Sequence, residues 1–245
     1  KALAGQYAGS VTLGTGQFCT NPGLLLGIQG EELERFVQDL AEAIVEIEPS
    51  IMLHPNIAGA YERNKQKAIS QEGLSVAAEL NHDVPANFAR QAVTTVDGST
   101  FLKNTALHQE VFGPFTMVVQ CEDASELEKV VSQLEGQLTG TLIAGENELS
   151  EFASLIEALQ NRVGRIIYNG VPTGVEVCPS MVHGGPYPAS TDSRFTAVGT
   201  YSIRRWARPF SYQDWPDELL PEELKNSNPL GIERKINNVN SREGI

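Results

Sequence analysis

The sequence predicts an α/β fold built on a parallel sheet, and three observations carry that prediction. Short apolar runs of strand length alternate with helix-period segments between Phe115 and Tyr168. An earlier stretch pairs a strand-like run, Leu24 to Ile28, with an amphipathic helix pattern. Hydrophobic residues make up 41% and charged residues 20% of the 245, enough to bury a sizeable core in one large domain.

The elements follow in chain order. Leu3 to about Leu13 is small and alanine-containing and reads as a helix. Leu24–Ile28 reads as a strand. Leu33, Phe36, Val37, Leu40, Ala41, Ile44 and Val45 recur at i, i+3, i+4, i+7 and predict a helix with one buried face, stopped by Pro49. Pro55 in a first turn predicts a second helix to about Gln71. Phe115–Cys121 is strand-like. Asp123 or Ser125 then caps a helix carrying Leu127, Val130, Val131 and Leu134, with Gly140 as its stop and Thr141–Ala144 as the next strand. Leu149, Phe152, Ile156 and Leu159 mark another helix, and Arg165–Tyr168 a third strand. The series is βαβαβ, which implies parallel strands with right-handed crossovers. Ligands collect at the carboxyl ends of such strands, where Asn169 and Gly170 fall.

After Gly185 the texture changes. An alternating run, Tyr201 to Trp206, reads as an edge strand or an arm docking on another subunit, followed by a proline- and acid-rich segment, Asp214–Glu223. Asn226–Ile245 reads as a poorly ordered or surface-wrapped tail. The division expected is a domain over residues 1–199 and an oligomerisation arm and tail over 200–245.

A net charge of −13 disfavours nucleic-acid and anionic-membrane surfaces, which need clustered Lys and Arg. No apolar run approaches the roughly 18 residues of a spanning helix, and no charged-then-apolar leader opens the chain, so a cytoplasmic protein is expected. Cys19, Cys121 and Cys178 are far apart and form no CxxC pair, which predicts neither a disulfide framework nor a metal site. The chain begins at Lys1 and its first methionine is Met52, so it reads as a piece of a longer protein.

Two apparent motifs lead nowhere. Gly14-Thr15-Gly16 suggests a dinucleotide fingerprint, but Cys19 stands at the third glycine position and no strand precedes it. His183-Gly184-Gly185 suggests a hydrolase oxyanion segment, without a GxSxG elbow to accompany it. Cys19 is different. Glycines, Thr20, Asn21 and Pro22 surround it in place of the bulky apolar neighbours of a core thiol, which predicts a displayed nucleophile.

Gly16-Gln17-Phe18-Cys19-Thr20-Asn21-Pro22 resembles the GQxCTxP active-site segment of the aldehyde dehydrogenase superfamily. Glu110-Val111-Phe112-Gly113-Pro114 resembles that family's E-x-F-G-P signature. Gly164-Arg165-Ile166-Ile167-Tyr168-Asn169, followed by a loop and Gly184-Gly185, fits in the same order. With Pro172-Thr173-Gly174-Val175 added, the pattern is most similar to the 2-oxoglutarate semialdehyde (2,5-dioxovalerate) dehydrogenase branch; an NADP-dependent fatty aldehyde branch shares much of it.

The resemblance implies the catalytic half of such an enzyme, with the Rossmann cofactor domain absent from this chain. Cys19 would be the nucleophile that forms a thiohemiacetal and then a thioester. Glu110 and Phe112 would hold the nicotinamide side of NAD or NADP. Phe18, Asn169, Val175 and His183 would line or support the aldehyde entrance, and Arg194 is a candidate partner for a substrate carboxylate. A small-molecule aldehyde substrate, a homodimer or homotetramer, no nucleic acid, no membrane and no metal are implied, and the isolated chain is expected to be inactive. A non-catalytic oligomerisation module is the remaining alternative.

Overall fold

The computed structural model describes residues 1–145 and 148–245, which divide into two compact units, Lys1–Arg205 and Trp206–Ile245. In the first unit the chain runs through α1 (Ala2–Thr12), β1 (Leu24–Ile28), α2 (Glu31–Val45), α3 (Pro55–Ile69), β2 (Ser75–Glu79), β3 (Ala92–Asp97), α4 (Gly98–Lys103), β4 (Phe115–Cys121), α5 (Ala124–Gln133), β5 (Gln137–Leu142), α6 (Ala153–Gln160) and β6 (Val163–Tyr168).

Local chemistry explains the boundaries. His54 caps α3, its Nδ1 accepting from the Asn56 N–H at 3.1 Å, and Pro55 occupies the first turn, where its missing N–H costs nothing. Asp123 caps α5 by accepting from the Glu126 N–H at 2.8 Å, while the Glu126 carboxylate accepts from the Glu122 N–H at 2.7 Å, a reciprocal capping arrangement.

A four-stranded sheet in the order β1-β4-β3-β2 forms the centre. β1, β4 and β3 are parallel, and β2 closes the edge antiparallel to β3. On one face α1 and α2 pack through Ala4, Tyr7, Val11, Leu40 and Ile44 onto Val93 and Val118. On the other, Tyr61, Phe101, Leu127 and Val130 meet Phe115, Met117 and Val119. Alternate residues of β4 therefore feed two cores, which is why the strand reads as a continuous apolar run.

The predicted single βαβαβ sheet is divided. β5 and β6 are parallel and joined through α6 as expected, but they form a separate two-stranded sheet, and β4 pairs with β1 and β3 instead. Gly140 is not a helix stop. It lies inside β5, where a Cβ would come within 2.6 Å of Leu159, so the glycine admits α6 onto the strand. Leu149 and Phe152 precede the first residue of α6. No strand was expected between Gln71 and Phe115, where β2 and β3 form.

The alternating run near residue 201 is 3-10 helical over Thr200–Trp206, not a strand. Arg204 lies over the Tyr201 ring at 4.2 Å, a pairing that a strand would send to one face only at even spacing. In the second unit the tail, expected to be poorly ordered or surface-wrapped, contains a hairpin, β7 (Arg234–Ile236) and β8 (Val239–Ser241). Asn237 and Asn238 both have positive φ at its tip, as a two-residue hairpin turn requires. Asn228 donates to the carbonyls of Ile232 and Arg242, tying the hairpin base.

Candidate active site

α1 delivers the chain into a left-handed turn: Gly14, Thr15 and Gly16 have φ of 55°, 59° and 66°. Such angles suit glycine, but Thr15 is β-branched and strained there. Its hydroxyl donates to Ile51 O at 3.2 Å. Gln17 holds the turn twice, accepting from the Leu53 N–H at 2.9 Å and donating to Gly14 O at 2.9 Å. Asn21 N–H then closes a turn onto Phe18 O at 3.1 Å, with Cys19 and Thr20 at its apex. Beyond it, Thr116 Oγ1 donates to Pro22 O at 2.8 Å and Met117 N–H to Gly23 O at 3.0 Å, leading into β1. The loop is thus fixed at both ends, and the Cys19 thiol at its apex is exposed, beside a Phe18 ring that is 38% exposed. Among the described residues, none accepts from the backbone N–H of Cys19 or Thr20.

The second signature is packed directly against this loop. A Cβ on Gly16 would lie 2.2 Å from the carbonyl carbon and oxygen of Gly113, so only glycine permits the two backbones to meet. Asn21 Nδ2 donates to the same Gly113 carbonyl at 3.0 Å. Glu110 and Phe112, just before Gly113, are both exposed, Phe112 at 36%. The Glu110 carboxylate has no hydrogen-bond partner among the described residues. Cys19, Glu110 and Phe112, distant in sequence, are thereby carried by one backbone junction.

The loop after β6 is braced from several sides. Asn169, at φ 49°, accepts from the Ala144 N–H at 3.0 Å and donates to Ala144 O at 2.9 Å, coupling the carboxyl ends of β5 and β6. Its amide is thus engaged within the protein. Tyr7 donates to Gly170 O at 3.2 Å and Ser10 bonds Thr173 at 3.0 Å, so α1 carries this loop as well as the Cys19 turn. Arg165 reaches from β6 to Pro172 O at 3.2 Å and Gly174 O at 3.1 Å. Val175 is exposed on the loop. The return passes Gly184, whose carbonyl oxygen lies 1.9 Å from where a Gly164 Cβ would stand. The spacing of Gly164 and Gly184-Gly185 in the sequence records this close approach.

His183 is buried, 8% exposed, with its backbone N–H donating to Thr196 Oγ1 at 2.8 Å. Burial lowers its pKa from the usual histidine range, and the nearby Arg165 charge acts in the same direction. Arg194 is engaged locally: its guanidinium bonds both oxygens of Asp192 at 2.9 and 2.6 Å, and those hydrogen bonds hold the Asp192 carboxyl at about 2. Cys121 is buried in the core, and burial, with Glu126 and Asp123 nearby, pushes its thiol up to about 12. Sequence reasoning passed over Tyr61 and Arg165. Tyr61 falls on the α3 stripe Ile57, Tyr61, Lys65, Ala68, where a lysine on a buried face was the available signal.

No protein-family model matches the chain. It is similar to alpha-ketoglutaric semialdehyde dehydrogenase 2 of Azospirillum brasilense, 42% identical over 238 residues that cover 95% of this chain and 44% of the relative. It is 39% identical to the alpha-ketoglutaric semialdehyde dehydrogenase of Acinetobacter baylyi over 97% of this chain and 45% of that protein. The chain therefore spans a little under half the length of the curated relatives it matches. Among solved structures, Mycobacterium tuberculosis delta-pyrroline-5-carboxylate dehydrogenase superposes with a TM-score of 0.69 at 16% identity, over 89% of this chain and 42% of that one. Staphylococcus aureus betaine aldehyde dehydrogenase does so at 0.67 and 17%, over 84% and 42%. These likenesses establish the fold. Over nearly its whole length the chain is thus similar in sequence to two aldehyde-oxidising dehydrogenases, and it shares the fold of solved aldehyde dehydrogenases.

Proposed function

We propose that this chain carries the nucleophile and the nicotinamide-side contacts of an NAD- or NADP-dependent dehydrogenase that oxidises 2-oxoglutarate semialdehyde to 2-oxoglutarate. The observation that carries the reading is the backbone junction of Gly16 with Gly113, which places the exposed thiol turn and the exposed Glu110–Phe112 segment on one support. The two similar curated proteins, both named for this semialdehyde, support the substrate.

Cys19, as thiolate, adds to the aldehyde carbon while the carbonyl electron pair moves onto oxygen, giving a thiohemiacetal oxyanion. The uncommitted N–H groups of Cys19 and Thr20 donate to that oxygen as charge develops. Glu110 and Phe112 fit a nicotinamide nucleotide: an uncommitted carboxylate can accept from ribose hydroxyls, and an open aromatic face can pack on the ring. When bound, the nucleotide supplies the acceptor for the hydride. Cys19 then holds the acyl group as a thioester until water cleaves it, which releases the carboxylate and returns the thiol. Phe18 and Val175 offer apolar surface at the entrance, and Asn169 and Arg165 hold the loop that bears Val175. We further propose a cytoplasmic homodimer or homotetramer of the full-length enzyme, joined through an arm within residues 200–245, a reading supported by exposed Trp206 and Phe210.

Competitive alkylation at neutral pH tests the nucleophile. Cys19 is expected to be modified at least about tenfold faster than Cys178, with Cys121 protected until unfolding. Equal, slow modification of Cys19 and Cys178 would remove Cys19 from the mechanism. In the full-length enzyme, higher kcat/KM on 2-oxoglutarate semialdehyde than on a long-chain aldehyde is the expected substrate order.

A further inference from the structure

We propose that Tyr61 is a positioning residue for the Cys19 site, holding the Gly113–Pro114 backbone on which the thiol turn is seated. This rests on the aldehyde-oxidising reading above and deepens it. Tyr61 lies on α3 and is 2% exposed. Its ring fills the space a side chain on Gly113 would need, with Cδ2 2.2 Å from the Cβ position. Its hydroxyl faces two carbonyls, Arg90 O at 2.7 Å and Pro114 O at 3.2 Å, and so links the residues leading into β3 and β4.

Gly113 meets Gly16 and accepts from Asn21 on its side facing the thiol turn. The Gly113–Pro114 backbone is therefore clamped between an aromatic ring and the turn that displays Cys19. A shift of that backbone toward α3 would carry Glu110 and Phe112 away from the thiol.

Lys65, one turn further along α3, prevents the ring from retreating. It is fully buried, with Nζ 2.7 Å from Glu79 Oε1, 3.1 Å from Glu62 Oε2 and 5.4 Å from the Tyr61 ring centroid. A buried cation persists only where paired, so this cluster pins α3 to β2. Burial and the charges of Glu62 and Glu79 push the Tyr61 phenol well above its ordinary range, so the hydroxyl remains a donor. Core filling alone would be met by phenylalanine.

Hydrogen exchange and the rate of Cys19 alkylation by iodoacetamide relative to that of Cys178, both on the whole chain at neutral pH, decide the role. Tyr61→Leu is expected to speed exchange about tenfold in residues 14–23 and 110–113 together while β4 stays protected, and to slow alkylation of Cys19 relative to Cys178 several-fold. Tyr61→Phe, which keeps the ring, should show about threefold faster exchange and a near-wild-type alkylation rate. Leu40→Ala, a core lesion on the opposite face of the sheet, should alter neither. Unchanged exchange in Tyr61→Leu, or equal acceleration by Leu40→Ala, overturns the positioning role. If Tyr61→Leu does not fold, Tyr61→Phe decides by the same exchange criterion. A wild-type Cys19 no more reactive than free cysteine instead removes the catalytic reading, and exchange still decides the positioning.

Discussion

At the scale of single residues, the site depends on what Gly16 lacks. Its backbone is left-handed, and a Cβ would sit 2.2 Å from two backbone atoms of Gly113, atoms that cannot rotate away as a side chain can. Gly16→Ala therefore combines left-handed strain with overpacking, and we expect a loss of about 3 kcal/mol in urea unfolding. Gly5→Ala, in α1 with open space around its Cβ, should stabilise by about 0.5–1 kcal/mol through helix propensity. Equal effects of the two would mean that the junction yields easily and does not set the site. Residue types around Cys19, and the E-x-F-G-P run, were legible from the sequence because their chemistry is local. The partner of Gly16 was not: a contact between two glycine backbones leaves no periodicity and no charge pattern to read.

At the scale of elements, the amphipathic helices and the strand β1 were legible because each carries its own period, cap or stop. β2 and β3 escaped notice because their alternation is weak: β3 is buried by layers on both faces, and β2 is an exposed edge. The division of the sheet was hidden for a similar reason, since a βαβ pattern fixes the order of strands along the chain but not which neighbours they choose. The loop after β6 is the element whose support can be tested separately from the core. Arg165 contributes two guanidinium bonds to loop carbonyls and also approaches Met181 Sδ at 3.7 Å. Arg165→Met keeps an unbranched apolar stem and deletes those donors. It should leave the unfolding free energy within about 1 kcal/mol of wild type while making the segment Pro172–Met181 several-fold more sensitive to limited proteolysis. In the full-length enzyme the accompanying change should fall on KM more than on kcat. Unaltered proteolysis would show that Tyr7 and Ser10 hold the loop from α1 without help from β6.

For the molecule as a whole, acidity enters through two opposed sets of groups. The net charge of −13 repels itself at neutral pH, and mild acid relieves that repulsion. Specific native interactions work against this benefit. Burial acts to raise the Glu62 pKa, but hydrogen bonds from Gln66 and Lys65, with the Lys65 and Arg90 charges, outweigh it and leave the carboxyl below its usual range. That contribution is present above the ordinary carboxylate value and is lost only as pH falls through the lower folded value. His183 responds at higher pH. Its folded pKa is lowered by burial and by Arg165, so between that value and the ordinary histidine value near 6.5 the unfolded chain binds the extra proton and the native state does not. Stability must rise with pH across this window and fall as acid is added through it. His183→Gln removes the titration while keeping a polar side chain. The urea midpoint of the wild type should therefore drop more between pH 7.5 and pH 5.5 than that of His183→Gln, whatever the variant's absolute stability. Parallel pH curves for the two would mean that His183 takes up its proton as readily in the folded chain as in the unfolded one, its ring being reached by water in the native state.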